Sequence, residues 1–310
     1  MSLIVGSSPH LHGPRTTERI MLDVLIALVP CVIAGTVLYG FRTLLVVGFC
    51  ALMCMFLEFT CRFVMKREQT VGDFSAVVTG VLLALTLPVG IPLHLALVGC
   101  FTAIVVVKQM FGGLGQNFVN PALTARIVML VSFPKEMTTY TDSVFHDAVS
   151  SATPLSPFAG TVSLSDLFFG NIGGCIGESC KLAILIGLVY LLARRVISPV
   201  IPVCFVGTVA LFSLFVGENV AFQVLAGGLL FGAVFMATDY VTSPVTRLGK
   251  VIFGVGCGLL TILIRLYANL PEGVSYAIVL MNITVPLIER VTGRRTFGRG
   301  RKEGQEEKKT

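Results

Sequence analysis

The sequence predicts an all-α integral membrane protein with about ten transmembrane helices in two inverted five-helix repeats. Three observations carry this expectation: an apolar composition, ten separable apolar runs, and a one-sided distribution of basic residues.

Of 310 residues, 55% are hydrophobic and 13% charged, and the mean hydropathy is +0.88. Soluble domains carry about 25% charged residues. Surface-to-volume scaling does not let a water-soluble fold of this size hide so many apolar side chains. A bilayer removes the conflict, because it is itself an apolar solvent. The 32 glycines suit helices that pack closely in lipid. Residues 1–19 are polar and lack an apolar h-region, so no signal peptide is expected and the first apolar stretch stays as a helix.

The apolar runs fall at roughly 20–40, 43–64, 74–89, 93–110, 120–134, 180–193, 196–216, 220–237, 248–267 and 273–289. A span needs about 20 apolar residues, fewer where it is short or partly re-entrant. The runs at 120–134 and 180–193 are short, and the longest polar gap, 135–179, lies between them.

Topology follows from Lys and Arg in the short loops. With the N-terminus in the cytoplasm, the inner loops hold Arg15, Arg19, Lys66, Arg67, Arg194, Arg195, Arg247 and Lys250. The tail adds Arg290, Arg294, Arg295, Arg299, Arg301 and Lys302, whereas the outer segments hold only Arg42, Lys135 and Lys181. Dropping any one span would put a basic pair outside. Both termini are therefore expected in the cytoplasm. The net charge of +6 comes mostly from the tail and reads as a topology signal, with no nucleic-acid partner.

Five spans on each side of the outer loop give the halves opposite orientation, the inverted-repeat plan. The expected organisation is a first repeat over 1–134, an extracytoplasmic loop over 135–179, a second repeat over 180–290 and a basic cytoplasmic tail over 291–310. Gly80-Val-Leu-Leu-Ala-Leu in the first half echoes Gly228-Leu-Leu-Phe-Gly-Ala in the second. Asn120-Pro121 likewise echoes Asn282 and Pro286. In such folds ligands sit between the halves, where broken helices expose backbone polar groups.

Three polar patches interrupt the apolar pattern. In Phe111-Gly-Gly-Leu-Gly-Gln-Asn-Phe-Val-Asn-Pro-Ala-Leu-Thr-Ala-Arg126, the glycines permit a tight turn and Asn117 and Asn120 offer amide donors and acceptors. Asn120 with Pro121 also reads as a helix cap, which leaves Asn117 unexplained. In Met236-Ala-Thr-Asp-Tyr-Val-Thr-Ser-Pro244, Asp239 adjoins a long apolar helix and is a site candidate on that ground. The alternative there is a helix end followed by a turn. Asp147-Ala-Val-Ser-Ser-Ala-Thr-Pro154 passes as a Ser/Thr-rich turn.

No metal-ligand spacing or catalytic triad accompanies these patches. The nine cysteines form no C-x-x-C pair, and most sit in apolar runs as small packing residues. Cys50, Cys54 and Cys61 share one helical face; Cys175 and Cys180 could pair, but nothing requires it. Gly254-Val-Gly-Cys-Gly258 lies inside an apolar run and reads as close helix packing. Asp23, Glu58, Lys108 and Arg126 lie in or near spans; they suit an ion route or, the preferred reading, pairing with neighbouring subunits.

Asp147-x-x-Ser150-x-Ala152-Thr153 resembles the signal read by flavin transferases that esterify FMN phosphate onto a Thr hydroxyl. Ser151 stands where the usual pattern has Gly. Together with Gly-Gln-Asn-Phe-Val-Asn-Pro-Ala and Met-Ala-Thr-Asp-Tyr-Val-Thr-Ser-Pro, it resembles the RnfD/NqrB family over nearly the whole chain, from Ser8-Pro-His10 through the last helix. The short N-terminus favours the RnfD branch.

The resemblance implies a ten-helix fold in the prokaryotic cytoplasmic membrane. It also implies FMN joined covalently to Thr153, with Asp147, Ser150, Ser151 and Ala152 as the rest of the attachment motif. A noncovalent riboflavin would be held by Thr79, Asn117, Asn120 and Asp239. The implied role is an electron-transfer subunit of an ion-translocating ferredoxin:NAD oxidoreductase, with no catalytic residue of its own because the cofactors carry the chemistry. The implied partners are a flavin-bearing G-type subunit, iron–sulfur A/E-type membrane subunits, B- and C-type subunits, and a flavin transferase for maturation. The competing reading is an inverted-repeat transporter or channel for a small solute.

Overall fold

The computed structural model describes residues 16–140, 163–268 and 273–293. Among them the chain is helical and contains no β-strand. The first half comprises α1 (Thr17–Tyr39), α2 (Arg42–Val64), α3 (Ser75–Leu85), α4 (Leu93–Phe101) and α5 (Pro121–Ser132). α4 runs on without a break as a π-helical segment, Thr102–Gln109. Two short helices follow, α6 (Pro134–Thr138) and α7 (Leu164–Phe169). The second half comprises α8 (Lys181–Ala193), α9 (Val200–Val216), α10 (Val220–Leu225), α11 (Leu229–Phe231), α12 (Arg247–Tyr267) and α13 (Gly273–Thr292). α11 continues into a second π-helical segment, Gly232–Met236.

Each apolar run of the sequence contains helix, but the run at 220–237 is not one helix. It breaks at Ala226–Gly228, where Gly227 takes a left-handed φ of 65°. α1, α2, α12 and α13 are long and apolar enough to cross a membrane; α3, α4 with its π segment, α5, α8 and α9 are shorter apolar helices.

α2 shows why this composition calls for lipid. Its exposed stripe is Leu52, Phe56, Phe59 and Phe63, while the opposite face buries Cys50, Cys54, Glu58 and Arg62. Both stripes follow helical spacing, but the apolar one faces out and the charged one faces in. α1 likewise exposes Ile26, Val29, Ile33 and Val37.

Glycines set the tightest approaches. A Cβ on Gly80 of α3 would lie 2.6 Å from the Cys50 carbonyl oxygen of α2. On α12, a Cβ on Gly258 would lie 2.6 Å from Thr208 Cβ and one on Gly254 2.8 Å from Cys204 Cβ, both on α9. The 254–258 glycines thus let two backbones meet, as their pattern predicts.

The halves interlock, with α1 against α8 and α5 against α13. The segment 172–180 folds back onto the first half: Ile176 and Gly177 N–H donate to the Leu87 and Leu85 carbonyls at 3.2 and 2.7 Å. All nine cysteines are free thiols, so Cys175 and Cys180 do not pair.

In lipid every backbone group needs an internal partner, and long basic side chains meet part of that need. Arg265 of α12 reaches the break after α10, its Nη1 donating to Gln223 O at 2.6 Å and its Nη2 to Ala226 O at 3.1 Å. Lys181 Nζ donates to Gly227 O at 3.2 Å and to Glu178 O. Arg42 serves the turn after α3, donating from Nε to Val89 O at 3.0 Å and from Nη2 to Gly90 O and Ile91 O, each at 3.3 Å. Two of the three basic residues on the sparsely charged side of the sequence thus cap carbonyls.

Candidate functional site

Two motif segments close on a single cavity. At the first, Gly112, Gly113 and Gly115 all adopt left-handed φ, of 122°, 104° and 87°. The chain thereby leaves the π segment and turns into α5 within a few residues. A Cβ on Gly113 would lie 2.4 Å from Arg62 Nη2, so a larger residue there would displace that guanidinium. Asn120 caps α5: its Oδ1 accepts from Ala122 N at 3.0 Å and Leu123 N at 3.3 Å, with Pro121 in the first turn. Asn117 Nδ2 donates to Val119 O at 3.1 Å. Its Oδ1 accepts no hydrogen bond among the described residues.

The second segment follows the π turn of α11. Asp239 accepts from Val241 N at 3.4 Å and from Thr242 Oγ1 at 3.1 Å, and Ser243 N donates to Asp239 O at 3.1 Å. The turn read from the sequence is therefore present, and Asp239 organises it.

Asparagines join the halves. Asn120 Nδ2 donates to Met236 O at 3.3 Å. In the amide orientation that satisfies both of its ends, Asn282 of α13 accepts from Asn120 N at 3.2 Å. It then donates to Thr242 O at 3.1 Å and Ile278 O at 3.3 Å.

Around this junction lies a cavity with about 800 Å³ of empty space, part of it open to the outside. Thr79, Asn117 and Asn120 from the first half line it, with Asp239 from the second. Val78, Leu82, Leu191, Val196, Val234 and Phe235 supply apolar wall. All four residues expected around a noncovalent flavin thus surround one cavity. They differ in what they can offer it. Asn120 has its oxygen committed to the helix cap, and Thr79 Oγ1 donates to Ser75 O at 2.9 Å. Asn117 has an uncommitted acceptor, and Asp239 is partly exposed within the cavity wall.

The lining fits an aromatic ring system with a polar edge, because small-molecule sites are largely apolar with a few placed polar groups. Both π segments border the cavity, through Lys108 and through Val234 and Phe235; single π turns recur at functional sites. A second cavity, of about 610 Å³, has Leu123 and Met236 in its wall, beside the Asn120–Met236 contact. Arg126, Tyr140, Glu178 and Lys181 also line it.

Asp147, Ser150, Ser151, Ala152 and Thr153 lie outside the described residues.

The intramembrane charges correct one expectation. The preferred reading of Asp23, Glu58, Lys108 and Arg126 paired them with neighbouring subunits, yet each has a partner in this chain. Asp23 accepts from Arg194 Nε at 3.2 Å and Tyr190 Oη at 3.0 Å. Glu58 pairs with Lys108 at 3.0 Å, and Arg126 with Glu178. For Glu58, Lys108 and Arg126, all buried, burial explains the choice, because an ion left unpaired in the interior costs several kcal/mol. Sequence reasoning missed Lys108 and Ser75 as wall residues and Asn282 as the bridge. The available signal was a polar side chain inside an apolar helix.

An all-helical membrane protein with a mostly apolar cavity at the meeting of its halves is the class that this geometry defines. The chain belongs to the NQR2, RnfD, RnfE family, whose model matches residues 4–298. It is 46% identical over 305 residues to the D subunit of the Na(+)-translocating ferredoxin:NAD(+) oxidoreductase complex of Acetobacterium woodii, covering 96% of each chain. It is 38% identical to the D subunit of the proton-translocating ferredoxin:NAD(+) oxidoreductase complex of Clostridium ljungdahlii, covering 95% of this chain and 96% of that one. Against the D subunit of the ion-translocating oxidoreductase complex of Stutzerimonas stutzeri, identity is 35%, with 92% and 93% covered.

Proposed function

We propose that this chain is the D subunit of an Rnf-type ion-translocating ferredoxin:NAD oxidoreductase complex. It relays electrons through FMN bound covalently at Thr153 and a riboflavin bound in the cavity between the halves. The observation that carries the reading is the convergence of Thr79, Asn117, Asn120 and Asp239, from three separate segments, on one mostly apolar cavity. Near-complete coverage of the D subunits named above supports the assignment to such a complex.

Bound flavins would supply one- and two-electron chemistry. This chain's own work is to hold and exclude. Asn117 Oδ1 would accept from a ring N–H, Asp239 would hold a ring N–H or a ribityl hydroxyl, and the apolar wall would keep water from the ring faces. Asn120 fixes the start of α5 and ties it to Met236, which sets the spacing of the two walls.

The proposed arrangement has ten spans in two inverted repeats, 1–134 and 180–290, in the cytoplasmic membrane, with both termini inside and 135–179 outside. The basic clusters on the inner loops support it. Tyr140, the last described residue before the segment bearing Thr153, lines the second cavity. The G-, A-, E-, B- and C-type subunits are the partners, and a flavin transferase completes maturation.

A denaturing gel tests the redox reading. Protein matured in cells that contain the transferase should run as a fluorescent band, and Thr153→Val should run without fluorescence. A dark wild-type band would leave the transporter reading in its place.

A further inference from the structure

We propose that the buried Glu58–Lys108 ion pair is oriented with its cationic end in the cavity wall, where it raises the reduction potential of the ring bound there. This rests on the flavin reading of the cavity. Lys108 and Ser75 line the cavity, whereas Glu58 does not. The Lys108 side chain is 2% exposed and that of Glu58 fully buried.

The pair is held from behind. Glu58 Oε2 accepts from Lys108 Nζ at 3.0 Å, while Oε1 accepts from Gln109 Nε2 at 2.8 Å and Thr70 Oγ1 at 3.3 Å. Arg62 Nε stands 3.8 Å from Oε1. These donors hold the carboxyl group on the side away from the cavity. On the cavity side, Ser75 Oγ gives its proton to Asp73 Oδ1 at 2.5 Å, so it can only accept from Lys108 Nζ, at 2.6 Å. An ammonium has three donors. Two are used, and the third is uncommitted among the described residues. Asp239, on the other half, is the carboxyl group in the same wall, so the cavity has a basic and an acidic side chain for a ring whose edge carries donors and acceptors.

Reduction adds electrons to the ring, and its charge becomes more negative unless a proton follows. A fixed cation at contact distance favours the reduced form, more so in a low-dielectric site than in water. Removing the cation and removing its counter-ion must therefore shift the potential in opposite directions. A purely structural role for the pair would not produce that.

The test is a spectroscopic redox titration of the flavin-loaded complex, with the covalent flavin as internal reference. Lys108→Met should lower the potential of the noncovalent flavin, and Glu58→Gln should raise it. Each shift should reach roughly tenfold in the reduced-to-oxidised ratio, about 59 mV for a one-electron couple. Shifts of the same sign, no shift, or equal movement of both flavins would overturn the proposal. If Lys108→Met does not accumulate, Glu58→Gln decides alone: a rise supports the proposal, and no change or a fall overturns it. Absence of any acid-extractable flavin from the wild type would instead overturn the flavin reading of the cavity.

Discussion

Arg265→Leu removes the cap from a break within the apolar run 220–237. Two backbone carbonyls, Gln223 O at 2.6 Å and Ala226 O at 3.1 Å, accept from the guanidinium where α10 stops, and Gln223 Oε1 accepts at 3.4 Å. Leucine keeps comparable apolar bulk but donates nothing. A buried acceptor left unsatisfied costs about 1–3 kcal/mol, so two should cost roughly 2–6 kcal/mol. Water from the nearby surface would bring the value toward the lower end. The π turn of α11 follows the break directly and bears Val234 and Phe235, so the noncovalent ligand should be retained less well. The assay is thermal unfolding of detergent-solubilised protein, read as loss of the monodisperse species, with flavin release followed in parallel. Arg265→Lys should fall between wild type and Arg265→Leu, because one amine can serve only part of the fork's geometry. An Arg265→Leu midpoint equal to wild type, or equal losses for Lys and Leu, would refute the capping argument.

Gly258→Leu should prevent α12 from seating on α9, since even a Cβ would lie 2.6 Å from Thr208 Cβ and 2.8 Å from Phe205 O; overpacking typically costs about 1–3 kcal/mol, visible as a lowered thermal midpoint. Asn120→Ala should lose the helix cap, at about 1 kcal/mol, with a fall in thermal stability larger than that of Asn117→Ala. Thr139, exposed after α6, should as Thr139→Cys label with an impermeant thiol reagent in intact cells, in a background lacking Cys175 and Cys180. Labelling only after lysis would contradict the proposed threading.

The helices were legible because a bilayer imposes length and hydropathy together. The start of α5 was legible to the residue, since Asn-Pro after a glycine-rich turn has a specific capping chemistry. The break at Ala226–Gly228 was not. Its carbonyls are satisfied by Arg265 and Lys181 from elsewhere in the chain, and no local pattern announces a long-range cap. Asn117, Asn120 and Asp239 could be picked out as polar interruptions of apolar runs, whereas Thr79 came from the family resemblance and Lys108 and Ser75 were missed as wall residues. The different duties of Asn120 and Asn117 were partly legible too, since Asn120 stands before Pro121 as a cap; the structure adds that the Asn117 oxygen is uncommitted among the described residues. Charge pairing was hidden, because Glu58 and Lys108 are 50 positions apart and meet only through the packing of α2 against the π segment.

Flavin stoichiometry by acid extraction tests the central claim most directly. Wild-type protein, matured with a flavin transferase, should contain two flavins per chain: one released by acid as riboflavin, one remaining with the polypeptide as FMN. Asn117→Ala combined with Asp239→Ala removes an uncommitted acceptor and the cavity's carboxylate. At about 1–3 kcal/mol for each lost hydrogen bond, affinity should fall roughly tenfold to a hundredfold per substitution. The double variant should therefore lose the released riboflavin and keep the bound FMN, whereas Thr153→Val should do the reverse. Riboflavin released from the double variant in the wild-type ratio to protein would contradict the assignment of this cavity.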